Sequence, residues 1–387
     1  MTSALGAGLA PTLAALRARR SGLARRLWET VDLDTCIGAV DELDDFALRA
    51  DLQAFDCRNN RLAQLGLEQD GFSNAVQHAI ERYGATRIGV FLGTSTSGIL
   101  SSELAYRHRD PVTGALPREH DYQHTHNSFS LADFVRHYYS LRGPAHVVST
   151  ACSSSAKAFG SAQRMIHCGL IDAAIVGGVD SLCLTTLYGF NSLQLVSTQP
   201  CRPFDTHRDG ISMGEGAAFA LVERGELAVA DDIVLSGIGE SSDAHHMSSP
   251  HPEGLGARQA MQAALLMANL QPADIDYINL HGTSTPSNDA AEDKGVSALF
   301  GTQTLCSSTK GHTGHTLGAA GGIEAIICAL ALRHNLAPAG VGTLELDPRL
   351  SSHYLLANVE QPIRHALSNS FGFGGSNCSL VFSKVVQ

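Results

Sequence analysis

Short runs of β-branched and apolar residues alternate along this chain with longer stretches whose small apolar residues recur at helical spacing. In the first part "RIGVFLG" (Arg87–Gly93), "AHVVST" (Ala145–Thr150), "AAIVGGVDS" (Ala173–Ser181) and "GAAFALVE" (Gly216–Glu223) predict strands. "SAKAFGSAQRMIHCG" (Ser155–Gly169) predicts a helix between two of them. In the second part "IVLSGIGE" (Ile233–Glu240), "IDYINLHG" (Ile275–Gly282), "TLCSSTK" (Thr304–Lys310) and "CSLVFS" (Cys378–Ser383) predict strands, with helices over Gly256–Leu270 and Gly318–Asn335. This alternation is that of an α/β protein.

The acidic, poorly periodic "RGELAVADD" (Arg224–Asp232) is the natural seam, dividing the chain into 1–228 and 229–387. Each part carries one copy of the phrase Gly-Thr-Ser-Thr, in "FLGTSTSG" (Phe91–Gly98) and "LHGTST" (Leu280–Thr285), after a short apolar run and before a polar loop. A duplicated half accounts for the matching position. The strand-to-helix passages "STACSSSAKAFGSA" and "STKGHTGHTLGAAGGIEA" give a second parallel. The copies differ in one chemical respect: Leu92 precedes the phrase in the first part and His281 in the second.

Composition narrows the class. A chain of 387 residues, 44% hydrophobic and 17% charged, can bury two cores or one large layered core, and its 38 glycines imply many tight turns or close backbone contacts. A net charge of −11 argues against general binding to nucleic acid or anionic membrane, leaving room for a local basic patch. Arg17, Arg19, Arg20, Arg25 and Arg26 crowd a segment that otherwise predicts a short Ala/Leu helix. There the apolar stretch precedes the charges, the reverse of a secretory signal. The apolar run "IICALAL" is too short to span a bilayer, and a cytoplasmic protein is expected. Nine cysteines without a C-x-x-C pair fit neither a disulfide scaffold nor a zinc knuckle, so most should be buried small hydrophobes.

Cys152 has different surroundings. In "HVVSTACSSSAKAFGSA" a β-branched run leads into a small-residue helix beginning at Ala151 or Cys152, which places the thiol in the first helical turn. Unpaired backbone N–H groups and the positive end of the macrodipole favour thiolate there, so a lowered pKa is expected, and small neighbours leave room for a substrate. His281 falls at the end of a strand, where α/β proteins present functional groups. "TKGHTGH" sets Lys310, His312 and His315 before a second small-residue helix. It contains no second ligand pair, and no metal site is expected. "SNSFGFGGSN" (Ser368–Asn377) predicts a Gly/Phe loop able to approach a ligand closely and to plug an apolar tunnel.

Taken together and in this order, "TACSSS", "NLHGTSTPSND", "TKGHTGH" and "NSFGFGGSN" resemble the β-ketoacyl-acyl carrier protein synthases of the KAS I and II type. "RPFDTHRDGISMGEGAAFALVE" and "SSDAHHMSSPHPEG" are similar to the same family, so the resemblance covers nearly the whole chain from about Ser3. It implies the thiolase-like fold, a five-layer αβαβα arrangement of two pseudo-symmetric halves, and with it an explanation of the doubled phrase. It implies an acyltransferase in which Cys152 takes an acyl chain from acyl carrier protein and the thioester condenses with malonyl-carrier after loss of carbon dioxide. His281 and His315 would donate N–H groups to the enolate oxygen. Lys310 would stand beside them with Glu324 or Glu292 as its carboxylate partner. The backbone N–H groups of Cys152 and Phe373 would form an oxyanion hole, and the loop containing Phe371, Gly372 and Phe373 would gate the pocket. Thr283 and Thr285 match positions that bond the pantetheine arm, although turn capping explains them equally.

No cofactor beyond the carrier's own phosphopantetheine is implied. Carrier protein is acidic, and Arg58 and Arg61 loosely match the family's basic docking helix, with Arg136 and Arg142 as further candidates. The resemblance also implies a homodimer or a heterodimer with a related subunit, in fatty-acid or polyene/polyketide synthesis. Two alternatives remain, a non-catalytic chain-length-factor-like partner and a thiolase-like acyltransferase. One departure stands at the start: family members open with a strand ahead of "SALG", whereas this chain begins "MTSALGAG", so that strand is expected to be shortened or absent.

Overall fold

The computed structural model describes residues 1–41 and 43–386. The first sheet contains β1 (Thr2–Ser3), β2 (Gly6–Ala7), β3 (Ile88–Gly93), β4 (Ala145–Val148), β5 (Ala173–Asp180) and β6 (Gly216–Glu223), in the order β2-β1-β6-β5-β3-β4. The second draws on β7 (Ile233–Ser242), β8 (Tyr277–Asn279) and β9 (Leu305–Ser307). After a small ribbon of β10 (Leu336–Ala337) with β12 (Val359–Glu360), it adds β11 (His353–Tyr354), β13 (His365–Gly372) and β14 (Ser376–Lys384). Its order is β11-β9-β8-β13-β14-β7.

The two sheets share one wiring. Each is built on an antiparallel pair, β5 with β6 and β13 with β14. Two parallel strands lie outside one member, β3 and β4 in the first sheet and β8 and β9 in the second. An antiparallel strand, β1 or β7, lies outside the other. The repeated Gly-Thr-Ser-Thr therefore follows equivalent strands, β3 and β8, and the sheets are pseudo-symmetric as expected.

The helices are α1 (Leu9–Arg17), α2 (Arg58–Leu67), α3 (Phe72–Tyr83), α4 (Ile99–Arg107), α5 (Ser130–Tyr138), α6 (Ser154–His167), α7 (Leu184–Ser192), α8 (Leu255–Ala268), α9 (Pro286–Phe300), α10 (Lys310–Thr313) and α11 (Ala320–His334). α6 and α11 pack against both sheets, α2, α3 and α5 cover the outside of the first, and α8 covers the outside of the second with α9 packed on it, giving five layers. The strand period of two explains how one strand feeds two cores. Ile88, Val90 and Leu92 enter the cluster under α2 and α5, while Phe91 enters the central cluster with Phe159 and Cys328. On β14, Leu380 joins the central cluster and Val381 the one under α8. Burial on both faces is why these strands read as unbroken apolar runs.

Small residues let the central helices press onto the sheets. A Cβ on Gly93 would lie 2.2 Å from the Ser155 nitrogen, and one on Gly321 would lie 2.8 Å from the Ala156 Cβ. The central helix also corrects an expectation: with its flanking turn, Leu317–His334 is long and apolar enough to cross a membrane, yet 78% of it is buried inside the fold.

One further expectation is met and two are adjusted. The opening strand is present but shortened: β1 pairs with β6 only at Gly216 and Ala217, whereas its counterpart β7 pairs along β14 from Ile233 to Ser242. A groove of ≈ 900 Å³ lies beside the unpaired part of β6, lined by Met1, Phe72, Phe219, Leu221 and Ile326 among others. The Gly/Phe stretch is mostly strand, since β13 runs to Gly372 and only Phe373–Gly375 turns. Its strand pattern was masked because Ser368, Asn369 and Ser370 are polar yet buried. Lastly, α6 starts at Ser154, so Cys152 precedes the helix by two residues and is held instead in a turn where Ala151 takes a left-handed φ of 52°.

Gly93→Ala should destabilise the fold by about 1–3 kcal/mol, because its methyl group meets backbone that cannot rotate away. Chemical denaturation checks this, with Gly225→Ala as a comparison at an exposed glycine that has nothing within 4 Å of the added methyl group and no left-handed φ.

Candidate active site

Four strand ends converge on the site. Cys152 follows β4, His281 follows β8, Lys310 and His315 follow β9, and Phe371 and Gly372 end β13 with Phe373 directly after it. They meet in a pocket of ≈ 580 Å³ lined by Cys152, His281, His315, Thr283, Thr285 and the Phe371–Gly375 segment, with Phe190, Leu195 and Ile211 as apolar wall.

His315 Nε2 lies 3.1 Å from Cys152 Sγ. The Leu317 N–H donates to His315 Nδ1 at 3.2 Å, which leaves Nδ1 without a proton and puts the ring proton on Nε2. His281 obeys the same logic. Lys310 Nζ lies 3.3 Å from His281 Nδ1, 2.5 Å from the His281 carbonyl oxygen and in contact with Glu324. An ammonium group can only donate, so His281 Nδ1 accepts and its Nε2 also carries the proton. Burial holds both imidazoles far below the usual histidine pKa, Lys310 pushes in the same direction for both, and His315 adds to the effect on His281. Both rings are therefore neutral N–H donors at physiological pH.

Of the two glutamates considered as the partner of Lys310, Glu324 makes the contact. Glu292 does other work: it accepts from the His281 N–H at 2.8 Å, the Gly282 N–H at 2.7 Å and the Asn369 side chain at 3.1 Å. It thereby fixes the turn that carries His281. Burial pushes each of these carboxyls up to about 7, against the opposing pull of Lys310 on Glu324 and of the donating N–H groups on Glu292.

The thiol departs from expectation. Burial pushes Cys152 up to about 11, outweighing the pull of Lys310 and of the Phe373 N–H that points at Sγ. Desolvation in the assembled pocket outweighs the effect expected of a helix terminus. Gly372 approaches so closely that a Cβ there would lie 3.3 Å from the Cys152 nitrogen, so the two proposed oxyanion-hole donors, Cys152 N–H and Phe373 N–H, are neighbours. Phe373 packs 5.4 Å from Phe190, and Phe371 packs 5.9 Å from the His281 ring. The turn is pinned from outside by the Gly374 N–H on the Met247 carbonyl and the Asp243 N–H on the Gly375 carbonyl.

Thr283 and Thr285 line the pocket and also structure the turn: their hydroxyls lie 2.9 Å apart, and Thr285 caps α9 through the Asn288 N–H. His312 lies apart from the pocket, between the carbonyl oxygens of Arg20 and Ala339. Arg58 is not a docking residue. Its side chain is 8% exposed, held by Glu215 and Asp44, which explains a basic residue at that position without any partner. Arg61 is partly exposed and paired with Asp56, Arg136 is paired with Asp133, and Arg142 is exposed. Eight of the nine cysteines are buried and Cys168 is exposed.

Cys152, His281 and His315 present three potential ligand atoms within 4.8 Å of one another. The donor set nevertheless suits an anion: both Nε2 atoms carry protons, and a buried ammonium stands behind His281. What the arrangement offers is two N–H donors and a thiol around one small volume.

The match to known families runs through both parts. Residues 2–228 match the family described as beta-ketoacyl synthase, N-terminal domain, and residues 233–343 match its C-terminal domain. The chain belongs to the β-ketoacyl synthase family. Among curated β-ketoacyl synthases it is 40% identical over 269 residues to the mitochondrial 3-oxoacyl-[acyl-carrier-protein] synthase of Arabidopsis thaliana, a match covering 64% of this chain and 58% of that one. It is 44% identical over 269 residues to 3-oxoacyl-[acyl-carrier-protein] synthase 2 of Rhizobium meliloti, covering 65% and 62%. The aligned stretch thus spans about three fifths of these relatives. Solved structures match over nearly the full length. A ketosynthase in complex with its chain length factor from Xenorhabdus doucetiae superposes with a TM-score of 0.91 at 39% identity, covering 99% of this chain and 96% of that one. A beta-ketoacyl synthase from Burkholderia phymatum gives 0.86 at 28% identity, covering 99% and 97%.

Glu292→Gln tests the buried carboxyl. A group with a folded pKa of about 7 and an ordinary pKa of about 4.5 binds more protons when folded, so its contribution to stability falls as pH rises between those values. The stability of the wild type relative to Glu292→Gln should therefore decline by about 1–3 kcal/mol from pH 5 to pH 7.5, measured by denaturation at each pH. A constant difference would show that the carboxyl is ionised throughout.

Proposed function

We propose that this β-ketoacyl synthase catalyses the decarboxylating condensation of an acyl-enzyme thioester with malonyl-acyl carrier protein, giving 3-oxoacyl-acyl carrier protein. One observation carries the reading: two neutral imidazoles, each with Nδ1 occupied and an Nε2–H to donate, share a pocket with a thiol 3.1 Å from one of them. Paired N–H donors of this kind suit the oxygen of an enolate.

Cys152 Sγ attacks the acyl thioester carbonyl, the departing pantetheine sulfur takes the thiol proton, and the Cys152 and Phe373 N–H groups hold the oxyanion. Malonyl thioester then loses carbon dioxide, and the electron pair left behind becomes an enolate whose oxygen accepts from His281 and His315. The enolate carbon attacks the acyl-cysteine, a carbon-carbon bond forms, and the cysteine sulfur leaves as thiolate and takes one proton from solvent. No cofactor enters the scheme. Lys310 keeps His281 in the donor tautomer, and Glu324 balances the charge of Lys310. Thr283 and Thr285 would receive the pantetheine arm.

The acyl carrier protein and a second subunit are the partners this reading calls for. α4 and α7 pack together, and Tyr106 on α4, Tyr188 on α7 and Leu193 just after α7 are exposed apolar side chains available to a subunit interface. The similarity to a ketosynthase bound to a chain length factor favours a related, non-identical subunit over a second copy. Arg61 and Arg142 are the remaining docking candidates for the carrier. The intact Cys152 sets this chain against the non-catalytic role.

Incubation with acyl- and malonyl-carrier protein should release carbon dioxide and give an extended 3-oxo product. Cys152→Ala should abolish extension while leaving carbon dioxide release measurable, and His315→Ala should lower release by about a hundredfold or more. Free acid without a new carbon-carbon bond would establish a hydrolytic acyltransferase instead. Sedimentation of the chain alone and after co-expression with a subunit of the chain-length-factor type distinguishes self-pairing from a mixed dimer.

A further inference from the structure

Asp180 ends β5 with its side chain fully buried, and among the described residues it pairs with no cation, yet it gathers six donations. Its Oδ1 accepts from the Thr94 and Thr96 hydroxyls at 2.7 Å each and from the Ser95 and Thr96 N–H groups at 2.8 Å each. Its Oδ2 accepts from Ser95 N–H at 3.0 Å and from Gly318 N–H at 2.5 Å. The first three donors' residues are the Thr-Ser-Thr of the repeated phrase in the first half, the copy without a histidine.

The carboxylate reaches toward both reactive groups. Gly318 follows Leu317, a non-glycine residue at a left-handed φ of 51° whose N–H donates to His315 Nδ1. Ser95, held by the same carboxylate, donates through its hydroxyl to the Ala151 carbonyl at 3.3 Å. Ala151 is the left-handed residue directly before Cys152. Two strained turns, each adjoining one partner of the sulfur-imidazole contact, are thus tied to one side chain. Strained conformations persist only where surrounding bonds impose them.

We propose that Asp180 is a positioning residue that sets His315 against Cys152, holding the Leu317–Gly318 turn directly and the Ala151–Cys152 turn through Ser95. The first-half Thr-Ser-Thr is then the scaffold of this clamp, while its second-half counterpart carries His281. The kinetic consequence rests on the condensing-enzyme reading, but the geometry is testable without substrate.

Asp180→Asn keeps an oxygen for the Thr94–Thr96 donors and turns an NH2 toward the Gly318 N–H, releasing that arm. Gly318→Ala attacks the same contact from the other side, since its Cβ would lie 2.8 Å from Asp180 Oδ2 and 2.7 Å from Ser95 Oγ. The first measurement is the pH dependence of Cys152 alkylation by iodoacetamide, read by peptide mass spectrometry on the intact protein. A sulfur that loses the His315 N–H as a donor should show its inflection at higher pH, by about one unit, in both variants. Inflections identical to wild type in the folded variants overturn the proposal and leave Asp180 a purely structural residue. Should Asp180→Asn not fold, Gly318→Ala carries the same test. With malonyl-carrier, the variants should lose about ten- to a hundredfold in kcat for carbon dioxide release with KM nearly unchanged. A wild type that releases no carbon dioxide defeats the condensing reading, and the alkylation profiles still decide the role of Asp180.

Discussion

A buried lysine organises this site. Lys310 Nζ, 1% exposed as a residue, is surrounded by the Glu324 carboxyl, the His281 carbonyl oxygen and His281 Nδ1. A cation in the interior is tolerable only where acceptors surround it, and the acceptors available here are the groups the chemistry needs fixed. Because an ammonium has no acceptor to offer, the histidine beside it must present its bare nitrogen inward and its N–H to the pocket. The same positive charge helps keep both imidazoles unprotonated and opposes the burial that raises the Cys152 thiol. Removing it would disturb the tautomer, the charge balance and the thiol together.

The fold delivers these groups by using one plan twice. Equivalent strands β4 and β9 lead into the central helices α6 and α11, with Cys152 at the head of the first and Lys310 and His315 ahead of the second. Equivalent strands β3 and β8 end in the same phrase. In one half that phrase supplies His281, and in the other it binds a buried carboxylate that reaches the turns beside Cys152 and His315. Duplication placed two loops face to face, and the division of labour followed from one residue at each head, Leu92 packed into a core and His281 turned into the pocket.

Much of this was legible in the sequence where periodicity and small residues carry the signal. The doubly buried strands appear as apolar runs, and the helix-opening turns around Cys152 and His315 are visible as strings of Ser, Thr and Gly. What stayed hidden depends on burial of polar groups, which local pattern does not encode. β13 looked like a loop because Ser368, Asn369 and Ser370 face the interior. Arg58 looked like a docking residue because nothing local reveals that Glu215, far along the chain, is its partner. The Cys152 thiol looked activated because desolvation is a property of the assembled pocket. Asp180 gave no signal, since its donors come from segments distant in sequence. The choice between Glu292 and Glu324 for Lys310 likewise needed the third dimension.

The central claim is that His281 and His315 are neutral and carry their protons on Nε2. Selective 15N labelling of histidine, with His281→Asn and His315→Asn used for assignment, reads the protonation of each ring nitrogen in solution at neutral pH. The account predicts a protonated Nε2 and a bare Nδ1 on both rings. A proton on Nδ1 of either ring, whether as the other tautomer or as an imidazolium, would contradict it.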